Sequence, residues 1–157
     1  MPPLVRMLSE ASLSLRELGT LTHNLYIVRM QSPKLYEIIV DYFINKKGFT
    51  EKDLASLGSR SAVNFLHSIA FCYGDLNNED FFTVMRRYIM SNIEVFNRFQ
   101  LIKLLDIYKY NINFLGQPGV AKNSSVRLKQ LLESQLEKKG NEKLNESEEE
   151  ELKHLQQ

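Results

Sequence analysis

Apolar residues recur along this chain at spacings of three and four, which is the period of a helix, and no stretch shows the alternation of a strand. A six-residue phrase occurs three times, as LSLREL, FTEKDL and FNRFQL at 13–18, 49–54 and 96–101. Each phrase places Ser, Thr or Asn after an apolar residue, and Glu, Asp or Gln three positions later. These are the residues of a helix N-cap and capping box. Three matched phrases in about a hundred residues indicate a repeat.

The apolar stripes and the breaks between them predict six helices. A seventh, shorter helix capped by Ser147 is possible in the C-terminal segment. The predicted spans are 14–30, 33–47, 50–73 with a break at 58–59, a fourth from 79, 97–115, and a sixth from 124 or 125 to 139. A shift of 46 residues lays the second helix on the fourth, and six positions then match. The matched pairs are Ser32 with Asn78, Leu35 with Phe81, Tyr36 with Phe82, Ile39 with Met85, Tyr42 with Tyr88, and Phe43 with Ile89.

The helices pair into hairpins, which predicts an all-α fold: a short right-handed solenoid of about three helical hairpins with an acidic C-terminal tail. A single hairpin buries too little surface, so neighbouring hairpins must stack. The hairpin starts lie 36 and 47 residues apart, and the longer interval predicts an insertion of about ten residues near Gly58. The alternative is an irregular helical bundle. The predicted divisions are an N-terminal extension (1–12), a helical-repeat domain (13–140, with hairpins 13–48, 49–95 and 96–140) and the tail (141–157).

Charge separates the body of the chain from its tail. Residues 1–132 contain 16 Lys and Arg against 11 Asp and Glu, whereas residues 133–157 contain 4 against 8. A mildly basic body is compatible with an anionic partner. The lone Cys72 suits a reducing compartment and is expected in the core. No apolar run approaches the roughly 20 residues that cross a bilayer, and residues 1–18 make a poor signal peptide.

Catalytic and metal chemistry find no support in the sequence. The three histidines, His23, His67 and His154, are far apart, and one cysteine gives no zinc-binding spacing. No glycine-rich phosphate loop is present, because the seven glycines are scattered singly. We therefore expect a protein that is not an enzyme and has no cofactor, metal or small-molecule substrate.

Cationic and amide side chains on the predicted helices suggest a surface for RNA. On the first helix of each pair, such residues could line one concave face, where cations would meet phosphates and amides would meet base edges. The alternative is a protein-binding or merely solvated face. The candidate RNA-binding residues are Arg60, Asn64, His67, Arg86, Arg87, Arg98, Lys103 and Lys109.

The run AVNFLHSIAFCYGDLNNEDFF at 62–82, together with the phrase pattern, resembles the heptatricopeptide-type helical repeats of the RAP-domain and FAST-kinase-like organellar proteins. In those repeats a first helix rich in Leu and Ala ends in a Leu/Tyr-Gly turn. A second helix then opens on an acidic residue and a Leu-Phe pair. Residues 18–39 and 49–82 match best, and the resemblance covers about residues 13–115.

This resemblance implies a mitochondrial or plastid RNA-associated protein. The repeat array is short and is joined by no RAP or nuclease-like domain in this sequence. We therefore expect a structural subunit of an organellar ribonucleoprotein, and the mitoribosome in the mitochondrial matrix is the preferred assembly. In it, the chain would contact rRNA and neighbouring proteins. The alternative is a protein adaptor, such as an accessory subunit of a mitochondrial membrane complex, without RNA contact or membrane insertion.

Overall fold

The computed structural model describes residues 12–115 and 120–155, and all the regular secondary structure among them is helical, with no strand. The predicted extension 1–12, apart from Ser12, and residues 116–119, between the predicted fifth and sixth helices, lie outside the described residues. A π-helical turn, Tyr42–Lys46, follows α2, and a 3₁₀ turn, Ile112–Leu115, follows α6. The helices are α1 Leu15–Ile27, α2 Pro33–Asp41, α3 Glu51–Leu57, α4 Ser59–Cys72, α5 Glu79–Ser91, α6 Arg98–Tyr110, α7 Val120–Lys138 and α8 Glu146–Leu155.

The three sequence phrases are confirmed as helix starts. Each carries a complete capping box: Ser14 with Glu17, Thr50 with Asp53, and Asn97 with Gln100. The predicted cap at Asn78 is also confirmed, since its Oδ1 accepts from the Phe81 backbone N–H at 3.0 Å. The predicted break is confirmed at Gly58, whose φ of +98° favours glycine and separates α3 from α4.

The 46-residue match between the second and fourth predicted helices corresponds to real equivalence in burial. Ser32 and Asn78 are both N-caps, although only Asn78 makes a side-chain capping bond. All ten apolar residues of the other five pairs are buried. The two helices therefore present the same face to the core.

Three predicted helix boundaries before α8 are wrong. The first helix ends at Ile27 rather than at about Met30, because the chain turns at Arg29, whose φ is +56°. The fifth helix ends at Tyr110 rather than Leu115, because the Asn111 side chain accepts from the Phe114 N–H at 2.9 Å and tightens the chain into the 3₁₀ turn. The sixth begins at Val120 rather than at 124 or 125. In its register Ser125 shares the buried face with Leu128, whereas Val126 is 37% exposed.

Helix α4 is the centre of the molecule. It packs between α1 and α6, while α5 packs against α3 and α7. The short helix α3, directly before Gly58, accounts for the longer interval between phrases. The second phrase therefore marks the start of this additional helix, α3. The helix that packs between α1 and α6 is the next one, α4.

An aromatic cluster fills the core on one side of α4. The ring of Phe43 lies 5.6 Å from that of Phe65 and 5.4 Å from that of Phe81, and all three side chains are fully buried. Such pairs stabilise a core beyond their buried area. Cys72 is buried, as expected. With one side of α4 occupied in this way, its polar residues are left for the side toward α1 and α6.

Candidate interaction groove between the first helices

A cleft of about 600 Å³ lies between α1, α4, α6 and α8. Polar and charged side chains make up most of its wall, with a few aromatic and aliphatic ones at its edge. We call it the groove. The lining residues that matter below are His23, Tyr26, Arg29, Arg60, Asn64, Phe99, Glu148, Glu150 and Glu151.

Lys103 is a buried cation beside the groove, with 1% of its side chain exposed. Its Nζ donates to Asn64 Oδ1 at 2.8 Å and to Glu151 Oε1 at 2.9 Å. The ammonium also lies 5.3 Å from the Phe99 ring centroid, within cation–π range. Burial lowers the pKa of Lys103, and the nearby Glu151 carboxylate opposes that shift. The charge of Lys103 therefore depends on a partner from α8.

One helical turn from Asn64 and Lys103, α4 and α6 bring His67 and Asp106 together. The two side chains are 3.7 Å apart, from Nε2 to Oδ2, and His67 is fully buried. Among the described residues, neither ring nitrogen of His67 has a hydrogen-bond partner, and Asp106 Oδ2 has none. Burial lowers the pKa of His67 and Lys103 lowers it further, while Asp106 opposes the shift. Burial thus favours a neutral His67.

The rim of the groove is formed by the C-terminal end of α1. The Arg29 guanidinium lies 4.4 Å from the Tyr26 ring centroid and 5.0 Å from that of Phe71. Arg29 has a φ of +56°, which for a residue other than glycine is uncommon. His23 stacks on Tyr26, and burial lowers its pKa, with Lys103 as a further cause. The rim therefore offers one exposed cation held over aromatic rings.

The acidic tail forms the outer wall of the groove. Helix α8 begins two residues earlier than Ser147 predicts: Asn145 Oδ1 accepts from the Glu148 N–H at 2.8 Å, and Glu148 Oε1 accepts from the Asn145 N–H at 3.1 Å. Upstream, Arg98 is tied to Glu142 by two hydrogen bonds of 3.2 Å. Three glutamates of α8 thus line the groove that the cations share.

Four of the eight predicted RNA-binding residues are brought together here. Arg60 and Asn64 line the groove, and Arg60 is exposed. The expectation that His67 and Lys103 would face solvent needs correction. His67 is enclosed by aromatic rings, and Lys103 is covered by the α8 contact.

The other four candidates lie elsewhere. Arg86, on α5, pairs with Glu79 and donates to Ser125 Oγ at 3.3 Å, so only 12% of its side chain is exposed. Arg87, also on α5, is exposed. Arg98 is half-buried at the start of α6, and Lys109 is exposed near its end.

Sequence reasoning missed the aromatic and acidic parts of the groove. Tyr26 lies near the C-terminal end of α1 and Arg29 lies just beyond it, and neither residue belongs to a recognisable sequence motif. The tail, however, did carry a signal: Leu144, Asn145 and Glu148 repeat the apolar, cap and acid positions of the three phrases. A fourth phrase would have located the start of α8.

Chemically, the groove is suited to holding an anion, because Lys103 beside it already binds the Glu151 carboxylate at 2.9 Å and Arg29 and Arg60 line the same cleft. Within the described ranges 12–115 and 120–155, no group of three His, Cys, Asp or Glu residues could hold a metal ion. No helix in that part of the chain is long and apolar enough to cross a membrane.

The chain matches no family model, and no curated protein or solved structure is significantly similar to it. What it binds must therefore be inferred from the groove.

Proposed function

We propose that this chain is a non-enzymatic helical-repeat subunit, a short solenoid, that contacts RNA within an organellar ribonucleoprotein, the mitoribosome of the mitochondrial matrix above all. One observation carries the proposal: helices α1, α4 and α6, far apart in sequence, bring Arg29, Arg60, Asn64 and Lys103 around one groove.

The chemistry of these side chains suits an RNA backbone. Guanidinium groups pair with phosphate in a bidentate geometry, and the exposed Arg29 and Arg60 stand at the mouth of the groove. The Nδ2 groups of Asn64 and Asn97 supply donors for base edges or 2′-hydroxyls, while their Oδ1 atoms accept from Lys103 and from the Gln100 N–H. The irregular helix spacing favours a scaffold that holds RNA over a repeat that reads its sequence.

Binding of a fluorescently labelled single-stranded RNA 20-mer to the full chain tests this proposal. We expect affinity to fall steeply between 50 and 200 mM salt, because phosphate contacts release counterions. Arg60→Glu should weaken binding about tenfold, the loss of one or two charge-assisted contacts. Absence of binding at low salt, or binding indifferent to salt, would refute the proposal.

Arg87→Glu is the matched control for Arg60→Glu. Both substitutions reverse one exposed arginine, but Arg87 lies on α5 and does not line the groove. We expect the Arg87 variant to lose much less affinity. Equal losses in the two variants would mean that net charge, and not the groove, governs RNA binding.

The second candidate is a protein adaptor without RNA contact, including an accessory subunit of a mitochondrial membrane complex. A specific observation favours it: the groove already holds an acidic helix, and the exposed Ile27 at its wall is followed by the exposed Val28 and Met30. Sedimentation of the native protein distinguishes the two, since an RNA-contacting subunit should travel with ribosomal RNA and an adaptor should not.

A further inference from the structure

We propose that α8 is an exchangeable cover of the groove, and that its glutamates compete with an anionic ligand for the cations beneath them. The inference rests on the proposed function in taking RNA as that ligand. It adds that the site regulates itself: the groove is closed by the chain's own tail until a ligand replaces it.

The first support is that α8 places carboxylates where phosphates would bind. Glu151 is 2.9 Å from the Lys103 ammonium, and Glu148 and Glu150 line the same cleft as Arg60. A carboxylate and a phosphate oxygen make the same charge-assisted hydrogen bond. Occupation by α8 and by RNA is therefore mutually exclusive at Lys103.

The second support is the nature of the attachment. No described side chain from 141 to 153 is buried, and Leu144 and Leu152 are only half-buried. By contrast, α7 inserts the fully buried Leu128 and Leu132 into the core. The ion pair that α8 makes with the body of the protein is that of Glu151 with Lys103. The segment before α8 is tied by Glu142, whose carboxylate accepts from the Arg98 backbone N–H and whose backbone oxygen accepts from the Arg98 guanidinium. A ten-residue helix is marginal on its own in water, so a displaced α8 would unwind.

The third support is that replacement of α8 by an anionic ligand is favoured over dissociation of α8 without one. Lys103 faces Glu151 and Asn64 directly, with Asp106 on the attractive side and Arg60 on the repulsive side. A buried ammonium that loses its close anion is strongly disfavoured. Departure of α8 therefore costs less free energy when another anion takes the place of Glu151 than when water alone replaces it.

The test compares two full-chain double variants that remove the same charge from the same helix. Glu150→Gln with Glu151→Gln changes groove-lining residues, whereas Glu146→Gln with Glu149→Gln changes residues outside the groove. We expect the first variant to bind the RNA 20-mer at least about fivefold more tightly than wild type, a typical coupling. The second should change affinity less than about twofold. Equal gains in both would overturn the competition, because long-range charge alone would then explain them.

A readout without RNA keeps the cover testable if the proposed function fails. Acetylation of lysines by an amine-reactive ester, followed by mass spectrometry, should label Lys103 far more slowly than the exposed Lys109 in wild type. The Glu150/Glu151 variant should label Lys103 faster, and the Glu146/Glu149 variant should not. Fast labelling of Lys103 in wild type would overturn the cover, whether or not RNA binds.

Amide hydrogen exchange tests directly whether RNA displaces α8. Saturating RNA should accelerate exchange of the backbone amides at 146–153 and leave those at 128–136 of α7 unchanged. Slower exchange in α8 on adding RNA would overturn the proposal, since α8 would then be part of the bound state.

Discussion

Helix α6 takes part in two buried polar clusters that are built in opposite ways. Just beyond its C-terminal end, Asn111 donates to the backbone oxygens of Tyr73 and Leu76 at 3.3 and 3.2 Å, and its Oδ1 accepts from the Phe114 N–H. Near its middle, Lys103 and Asp106 meet only side chains in the contacts given above, and His67 beside them has both ring nitrogens without a partner among the described residues.

The difference separates a structural cluster from one suited to change. The partners of Asn111 are backbone groups, which the fold fixes, so the cluster locks the α4–α5 turn against the end of α6. The partners of Lys103 are the Asn64 amide of α4 and the Glu151 carboxylate of α8, and in our proposal the second leaves when α8 is displaced. Buried polar groups are normally satisfied, and exceptions call for an explanation. A groove that exchanges its occupant provides one.

The largest effect should come from breaking the satisfied cluster. Asn111→Ala removes three hydrogen bonds and leaves the Leu76 oxygen without its partner, whereas the Tyr73 oxygen and the Phe114 N–H keep backbone partners. We expect a loss of about 3 kcal/mol in the free energy of unfolding, at about 1 kcal/mol for each lost bond. Urea denaturation measures it. The control is Asn113→Ala, which removes one exposed hydrogen bond to Asp75 and should cost well under 1 kcal/mol. Similar losses in both variants would contradict the contrast between the clusters.

Breaking the exchangeable cluster around Lys103 should lower the free energy of unfolding less than breaking the Asn111 cluster. Glu151→Gln removes the counter-charge of Lys103, but Glu151 is 30% exposed and water can replace part of the contact, so we expect a loss of about 1–2 kcal/mol, below that of a fully buried pair. Lys103→Met added to Glu151→Gln should recover most of it. A double-mutant cycle from urea denaturation gives the coupling between the two. Additive losses would show that the ion pair does not hold α8.

The capped helix starts and the buried faces could be predicted from the sequence, because they depend on local chemistry. The three phrases gave three capping boxes, and the 46-residue match gave five pairs of buried residues. The boundary at Tyr110 could not be predicted in this way, because the Asn111 side chain that accepts from the Phe114 N–H also bonds to residues 35 and 38 positions earlier.

The groove was only partly predictable for the same reason. Arg60, Asn64 and Lys103 were selected as polar positions on first helices, and the packing of α4 between α1 and α6 brings them together. Which cations are covered depends on where a distant acidic segment settles. The Glu148–Glu151 run resembles any solvated charge run, and nothing local links Glu151 to a lysine 48 residues earlier.

Removing the N-caps of α6 and α8 has a smaller expected effect and tests how differently the two helices are attached to the core. Asn97→Ala should lower global stability by about 1 kcal/mol, because α6 is part of the core. Asn145→Ala removes the equivalent cap of α8 and should lower the urea midpoint much less than Asn97→Ala does, while accelerating amide exchange at 146–153, since a segment with few buried contacts opens locally. If Asn145→Ala shifts the midpoint as much as Asn97→Ala, α8 is an integral part of the core.

The smallest effect, and the most specific to the unsatisfied cluster, concerns His67. Its pKa is lowered in the folded state by burial, and Lys103 on the adjoining face adds to the shift while Asp106 opposes it. The unfolded chain, with a histidine pKa of about 6.5, therefore binds more protons than the folded one as the pH falls through that value. The linkage relation then requires stability to be fully present above pH 6.5 and to decline below it.

His67→Leu should remove this part of the decline. At pH 7.5 we expect a change in unfolding free energy of less than about 1 kcal/mol, because the lost ring contacts are offset by removing two unsatisfied nitrogens. Between pH 7.5 and 5.5 the variant should lose less stability than wild type in urea titrations. His23→Leu is the control for the other histidine of the groove. The pKa of the half-buried His23 is also lowered, so its own share of the pH dependence must be measured separately. An unchanged pH dependence in His67→Leu would mean that the His67–Asp106 pair already holds a proton in the native state, and that the second cluster is as well satisfied as the first.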